Sequence, residues 1–117
     1  MSRKSQWNQV FKALSHPVRR EILDALKKKP MTTGALCLRF RKLDRCTVML
    51  HLNVLEDGHL ILVKREGRNR WNYLNVAPIK EIFDRWISGY AVPSVDLLMR
   101  LKKDLESTNE LIPAVKR

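Results

Sequence analysis

A chain of 117 residues has room for one compact domain, and at this size oligomerisation is a common way to bury more apolar surface. Its 44% hydrophobic and 30% charged residues are ordinary for a soluble globular protein. The charge balance is not: 23 Lys and Arg against 12 Asp and Glu give +11, which points to a polyanionic partner, either nucleic acid or an anionic membrane surface.

The excess charge is unevenly placed. Residues 1–75 carry 16 basic and 6 acidic side chains, whereas residues 76–117 carry 7 and 6. The last third therefore needs another task. Cys37 and Cys46 are too few for a disulfide framework. Trp7-Asn8-Gln9 follows Arg3 and Lys4 where a signal peptide would have an apolar run, and no stretch is long enough to span a bilayer. A soluble cytoplasmic chain without a membrane partner is expected.

Trp7, Val10, Phe11 and Leu14 fall at i, i+3, i+4 and i+7 and predict a first helix. Ser15-His16-Pro17 ends it and opens a second, whose buried stripe is Val18, Ile22, Ala25 and Leu26. Lys27, Lys28 and Lys29 suit its last turn and Pro30 stops it. Thr32 or Thr33 caps a short third helix with Leu36 and Phe40. Asp44 caps a fourth, with Val48, Leu52 and Leu55 facing inward and Gly58 closing it in a left-handed cap.

The period then changes. Leu60 to Arg65 and Arg70 to Leu74 read as two strands, joined by turn chemistry at Glu66-Gly67-Arg68-Asn69. Helical spacing returns with Ile79, Ile82, Phe83, Trp86, Ile87 and Tyr90. Pro93 interrupts it, and Leu97, Leu98, Leu101 and Leu105 continue a seam in a last helix, with a frayed tail over residues 108–117.

The expected fold is mainly α with a small β-hairpin: a winged helix-turn-helix of about five to six helices plus a two-stranded wing, in one domain. Residues 6–75 supply the helical core, helix-turn-helix and wing, and residues 76–107 supply helices for dimerisation. An α-helix fits the major groove while the helix before it holds its angle. Residues 33–40 are then the positioning helix and residues 45–57 the recognition helix. The expected DNA-contacting set is Arg45, Cys46, Thr47, Met49, Leu50 and Asn53 on that helix, with Lys64, Arg65, Arg68 and Arg70 on the wing. Arg45 and Asn53 are the base-reading candidates.

Residues 11–23, Phe11-Lys12-Ala13-Leu14-Ser15-His16-Pro17-Val18-Arg19-Arg20-Glu21-Ile22-Leu23, resemble the opening segment of ArsR/SmtB-type regulators. Thr47-Val48, His51-Leu52 and Val54-Leu55 are similar to that family's recognition helix. Gly58 and Leu60, then Glu66-Gly67-Arg68 and Tyr73-Leu74, are similar to its wing. The resemblance runs from about Trp7 to Trp86. It implies a bacterial or archaeal homodimeric repressor that binds double-stranded operator DNA and releases it on a signal. Because first and last helices pair in that family, it also implies a dimer interface at Trp7, Val10, Phe11, Phe83, Trp86, Tyr90, Leu98, Leu101 and Leu105.

There are departures. Met49 and Leu50 stand where the family often has polar residues; they can touch thymine methyls or simply pack. The Cys-x-Cys of metal sensors reads Cys37-Leu38-Arg39 here, and no histidine follows His59, so neither family metal site is present. No metal and no cofactor are expected, and any effector should be non-metal.

Cys37 and Cys46 can be a thiol switch or inert thiols, and His16 and His51 a cap and a phosphate or packing contact, or ligands. Trp71 and Tyr73 can stack on single-stranded bases or pack beneath the hairpin. The apolar faces from Ile79 to Leu105 can take a small ligand or a second chain, and Lys27 to Lys29 can be a solvated helix end. No catalytic constellation or Gly-rich phosphate loop is discernible, so no enzyme is expected. The alternatives are a winged-helix protein–protein interaction module, motivated by Met49 and Leu50, or a nonspecific DNA-binding protein.

Overall fold

The computed structural model describes residues 3–90 and 92–111. Its elements run α1 (Arg3–Leu14), α2 (Pro17–Lys28), β1 (Met31–Thr32), α3 (Thr33–Arg39), α4 (Arg45–Asp57), β2 (Ile61–Glu66), β3 (Asn69–Leu74), α5 (Ala77–Trp86) and α6 (Val92–Leu111). The chain divides into two compact units, with the division inside α5 after Ile82.

In the first unit the predicted helices form where the caps place them. His16 is the N-cap of α2 and its Nδ1 accepts from the Val18 amide at 3.1 Å, with Pro17 in the first turn. Thr32, not Thr33, caps α3, accepting from the Ala35 amide at 3.1 Å. Asp44 caps α4, accepting from the Thr47 amide at 2.7 Å. That hydrogen bond, seconded by the Thr47 hydroxyl, holds the Asp44 carboxyl below its ordinary range. The apolar stripes meet in one core of Val10, Ala13, Ile22, Leu26, Leu36, Val48, Leu52, Leu55, Leu60 and Ile61.

The sheet has three strands, ordered β1-β3-β2 and antiparallel throughout. The hairpin was expected; β1, pairing Met31 with Asn72 and Thr32 with Trp71, was not. Two residues are too short for a periodic signal, so only tertiary pairing reveals them. The register closes on Glu66 opposite Asn69, leaving a two-residue loop. Gly67 takes φ +59° there, the position at which a II′ turn requires glycine.

The end of α4 differs from expectation in an instructive way. Gly58 has φ −81°, and the left-handed residue is His59 at φ 59°. The Leu60 amide donates to Leu55 O at 3.0 Å and the His59 amide to Glu56 O at 2.9 Å, a Schellman closure with His59 at its left-handed position. Gly58 is small for another reason: a Cβ there would lie 3.1 Å from Gln9 O and 3.5 Å from the Ala13 Cβ, where α1 crosses. Gly58→Ala is therefore expected to cost about 1–3 kcal/mol by overpacking. His59→Gly, one residue on, should stabilise by about 0.5–1 kcal/mol through relief of the left-handed strain. Urea unfolding of both variants checks this, and the opposite signs would refute it.

In the second unit α5 stops at Trp86, so Ile87 and Tyr90 lie in a turn and not on a continuing helix; the Tyr90 amide donates to Ile87 O at 2.8 Å. Pro93 lies in the first turn of α6, where its missing amide proton costs nothing, and does not break a helix. The helix α6 continues through Leu111, past the expected end at Ser107; residues 112–117 of the expected tail lie outside the described residues. The apolar side chains of this unit are half open to solvent, among them Phe83, Trp86, Tyr90, Leu98, Leu101 and Leu105.

Candidate nucleic-acid interface

The geometry of a helix-turn-helix is set between α3 and α4. Val48, Leu52 and Leu55 are buried, which turns Arg45, Cys46, Leu50 and Asn53 outward; all four are exposed. Thr47 and Met49 are half-buried, and Met49 packs on the core from the boundary of the outward face. Leu50, at 64% exposure, is the apolar residue this helix shows most openly.

A groove of about 430 Å³ lies between the start of this helix and the wing. Arg45 and Met49 line it from α4, Thr32, Thr33 and Gly34 from the start of α3, and Arg65, Arg68, Asn69 and Arg70 from the hairpin. The structure thus brings four predicted arginines to one concavity. Thr32, Thr33, Gly34 and Asn69 were not expected in it; the threonines carried only a capping signal.

The wing residues do not behave alike. Strand alternation puts Lys64 and Glu66 on the face opposite Arg65, and their 3.1 Å ion pair raises the Lys64 pKa. Lys64 therefore does not line the groove. Arg70 needs a larger correction as a phosphate-binding residue of the hairpin tip. Its side chain is 9% exposed; Nη1 donates to Asn72 Oδ1 at 2.9 Å and to Thr33 Oγ1 at 3.3 Å, and Nη2 pairs with Glu56 Oε1 at 3.1 Å. Its charge is committed within the fold. Arg65 and Arg68 remain exposed and carry no ion pair among the described residues.

The network around Arg70 also sets which face of β3 turns inward. Trp71 and Tyr73 are only half-buried, while Asn72 between them is fully buried. Asn72 Nδ2 donates to Met31 O and Thr33 Oγ1, both at 3.2 Å, tying β3 to β1 and α3. Glu56 adds α4 through Arg70. The wing is therefore fixed to both helices of the helix-turn-helix by polar contacts, as a buried polar network can be only when its members are satisfied.

A second junction holds α4 against α1 and α2. The Arg19 guanidinium donates from Nε to Ala13 O at 2.8 Å and from Nη2 to Lys12 O at 2.9 Å, closing the end of α1. Its Nη1 reaches His51 Nδ1 at 3.1 Å, and the His16 and His51 rings stack obliquely with centroids 4.5 Å apart. Guanidinium cannot accept, so His51 Nδ1 carries no proton in this arrangement. Burial, with His16 and Arg19 beside it, lowers the His51 pKa. A folded-state pKa below the unfolded 6.5 means the unfolded chain binds more protons near that pH, so stability present above pH 6.5 is lost on acidification towards the lowered value. His51→Gln should flatten that part of the profile. An unchanged slope in pH-dependent urea midpoints would contradict the assignment.

Of the residues expected in a dimer interface, Val10 is corrected: it is fully buried in its own unit and presents nothing to a second chain. Trp7 is half-buried and Phe11 is 44% exposed. Cys37 is half-buried, Cys46 is exposed and both are free thiols. No three His, Cys, Asp or Glu side chains converge as a metal site among the described residues, and no described helix is long and apolar enough to cross a membrane.

Comparison with known proteins agrees with this layout. A helix-turn-helix domain family matches residues 14–64. Two Bacillus subtilis (strain 168) proteins are similar in sequence: the transcriptional repressor SdpR, 36% identical over 83 residues that cover 71% of this chain and 90% of that protein, and the uncharacterized HTH-type transcriptional regulator YuzN, 36% identical over 84 residues covering 67% and 91%. The crystal structure of an ArsR family transcriptional regulator superposes with a TM-score of 0.65 at 29% identity, over 74% of this chain and 87% of that one. With helices and wing in the expected order and relatives matched over most of their length, the chain belongs to the ArsR-type winged helix-turn-helix family of transcriptional regulators.

Proposed function

We propose that this protein is a homodimeric, sequence-specific repressor that reads double-stranded operator DNA with α4 and the wing. The observation that carries the reading is the groove in which Arg45 of the recognition helix faces Arg65 and Arg68 of the wing. A helix laid in a major groove brings its first turns to the base edges, and a basic wing beside it meets the neighbouring phosphates. Arg45 and Asn53 then read bases, Leu50 offers apolar contact to thymine methyl groups, and Arg65 and Arg68 hold the backbone. The repressor sense is supported by the name of the SdpR relative.

The dimer is supported by the second unit, whose Phe83, Trp86, Tyr90, Leu98, Leu101 and Leu105 each leave roughly half of their surface to water. Sedimentation at micromolar concentration should give a dimer, and Leu98→Glu with Leu101→Glu should give monomers. Release by metal is not part of the reading: Cys37 stands without a second thiol in α3, and Arg39 follows two residues on. Zinc should leave the DNA complex intact. Arg45→Ala is expected to relax preference at one base position of each half-site, by about 1–3 kcal/mol. A uniform loss across all sequences would reassign Arg45 to the backbone. Capture of a stoichiometric protein partner together with no DNA affinity at low salt would replace the reading with a protein–protein module.

A further inference from the structure

Between α2 and the turn that joins α3 to α4 lies a cavity of about 340 Å³, within the range of small-molecule sites. Val18 from α2 and Phe40 and Leu43 from the turn give it an apolar floor; all three are half-buried and packed on the core. Arg39, Arg41 and Lys42 stand exposed on its rim, and Glu21 is the one carboxylate among the lining residues. None of the three cations is engaged in a hydrogen bond or ion pair among the described residues.

We infer that this cavity is the regulator's effector site and takes a small organic anion with an apolar body, of the aromatic or branched carboxylate class. The inference rests on the DNA-regulator reading above. Three unpartnered cations against one carboxylate select a negative ligand, and an arginine fork suits a carboxylate in particular. The floor selects the body: a phosphodiester would meet the rim but leave Val18, Phe40 and Leu43 uncovered.

The position makes binding consequential. The wall of the cavity is the turn itself, held by the Phe40 amide on Leu36 O at 2.9 Å and the Leu43 amide on Phe40 O at 2.9 Å. Asp44 then caps α4 directly. A ligand wedged against Phe40 and Leu43 alters the angle between positioning and recognition helices, and its charge offsets the rim cations beside them. Both effects weaken DNA binding. By linkage, DNA must weaken ligand binding by the same factor.

The test uses the full chain and two paired probes, phenylacetate and phenylacetamide, followed by amide chemical shifts. Phenylacetate is expected to give saturable shifts at Val18, Phe40 and Leu43, with the neutral amide far weaker. Arg41→Ala with Lys42→Ala should abolish them, whereas Lys28→Ala with Lys29→Ala, an equal loss of charge elsewhere, should not. In a DNA-binding assay saturating phenylacetate should raise Kd about fivefold or more. Shifts that never saturate, equal shifts with the amide, or equal shifts with inorganic phosphate would overturn the site. The spectral arm needs no DNA, so a failure of the DNA reading would appear separately, as absent duplex binding without any probe.

Discussion

Replacing Asn72 by Ala is expected to lower the stability of the protein by about 2–4 kcal/mol, the largest loss from any single polar side chain. Asn72 is fully buried, and its amide joins Met31 O, Thr33 Oγ1 and the Arg70 guanidinium. Truncation leaves the buried Thr33 hydroxyl with one partner fewer and takes from Arg70 its shortest hydrogen bond, 2.9 Å to Oδ1. Arg70 cannot turn to water instead, because its side chain is only 9% exposed. An unpaired buried group costs the full desolvation penalty, whereas a mutation at an open site such as Arg68 should stay within about 0.5 kcal/mol. Urea unfolding at one fixed protein concentration compares the two. Equal stabilities would show that the network is incidental.

The largest effect on function should come from salt. With about six to ten phosphate contacts, affinity for duplex DNA is expected to fall 10³–10⁵-fold between 50 and 200 mM salt. Arg65→Ala and Arg68→Ala should each weaken binding to all sequences alike and reduce the salt slope by about 1. Arg70→Ala separates the two roles an arginine on a wing can have. Its charge is already neutralised by Glu56 at 3.1 Å, so its loss should weaken binding by releasing the wing from α3 and α4 while leaving the slope unchanged. A slope reduced by the same amount as for Arg68→Ala would make Arg70 a phosphate contact after all.

These two expectations fall where sequence and structure part company. The helices were legible because each combined an apolar period with a physical stop: Pro17 and Pro30, the Asp44 cap, the buried stripe of Val48, Leu52 and Leu55. The outward set on α4 followed from the same period. The wing was legible as a hairpin but not as to which way it faces. Alternation favours Trp71 and Tyr73 as the inner residues, yet Arg70 and Asn72 turn inward, since Thr33 and Glu56 come from distant segments to satisfy them. No local pattern reports a partner 39 residues away. Gly58 misled for a related reason: its smallness serves the crossing of α1, and the strained turn residue is His59. Val10 likewise lies on the predicted face of α1, but its side chain is fully buried in the core.

Selection of duplexes from a randomised library by the full chain at physiological salt shows whether α4 and the wing together read a sequence. Enrichment of a two-fold symmetric site is expected, with half-site centres about 34–36 Å apart, bound at least 10³-fold more tightly than a scrambled duplex. A library that yields no motif, with equal affinity for selected and scrambled duplexes, would contradict it.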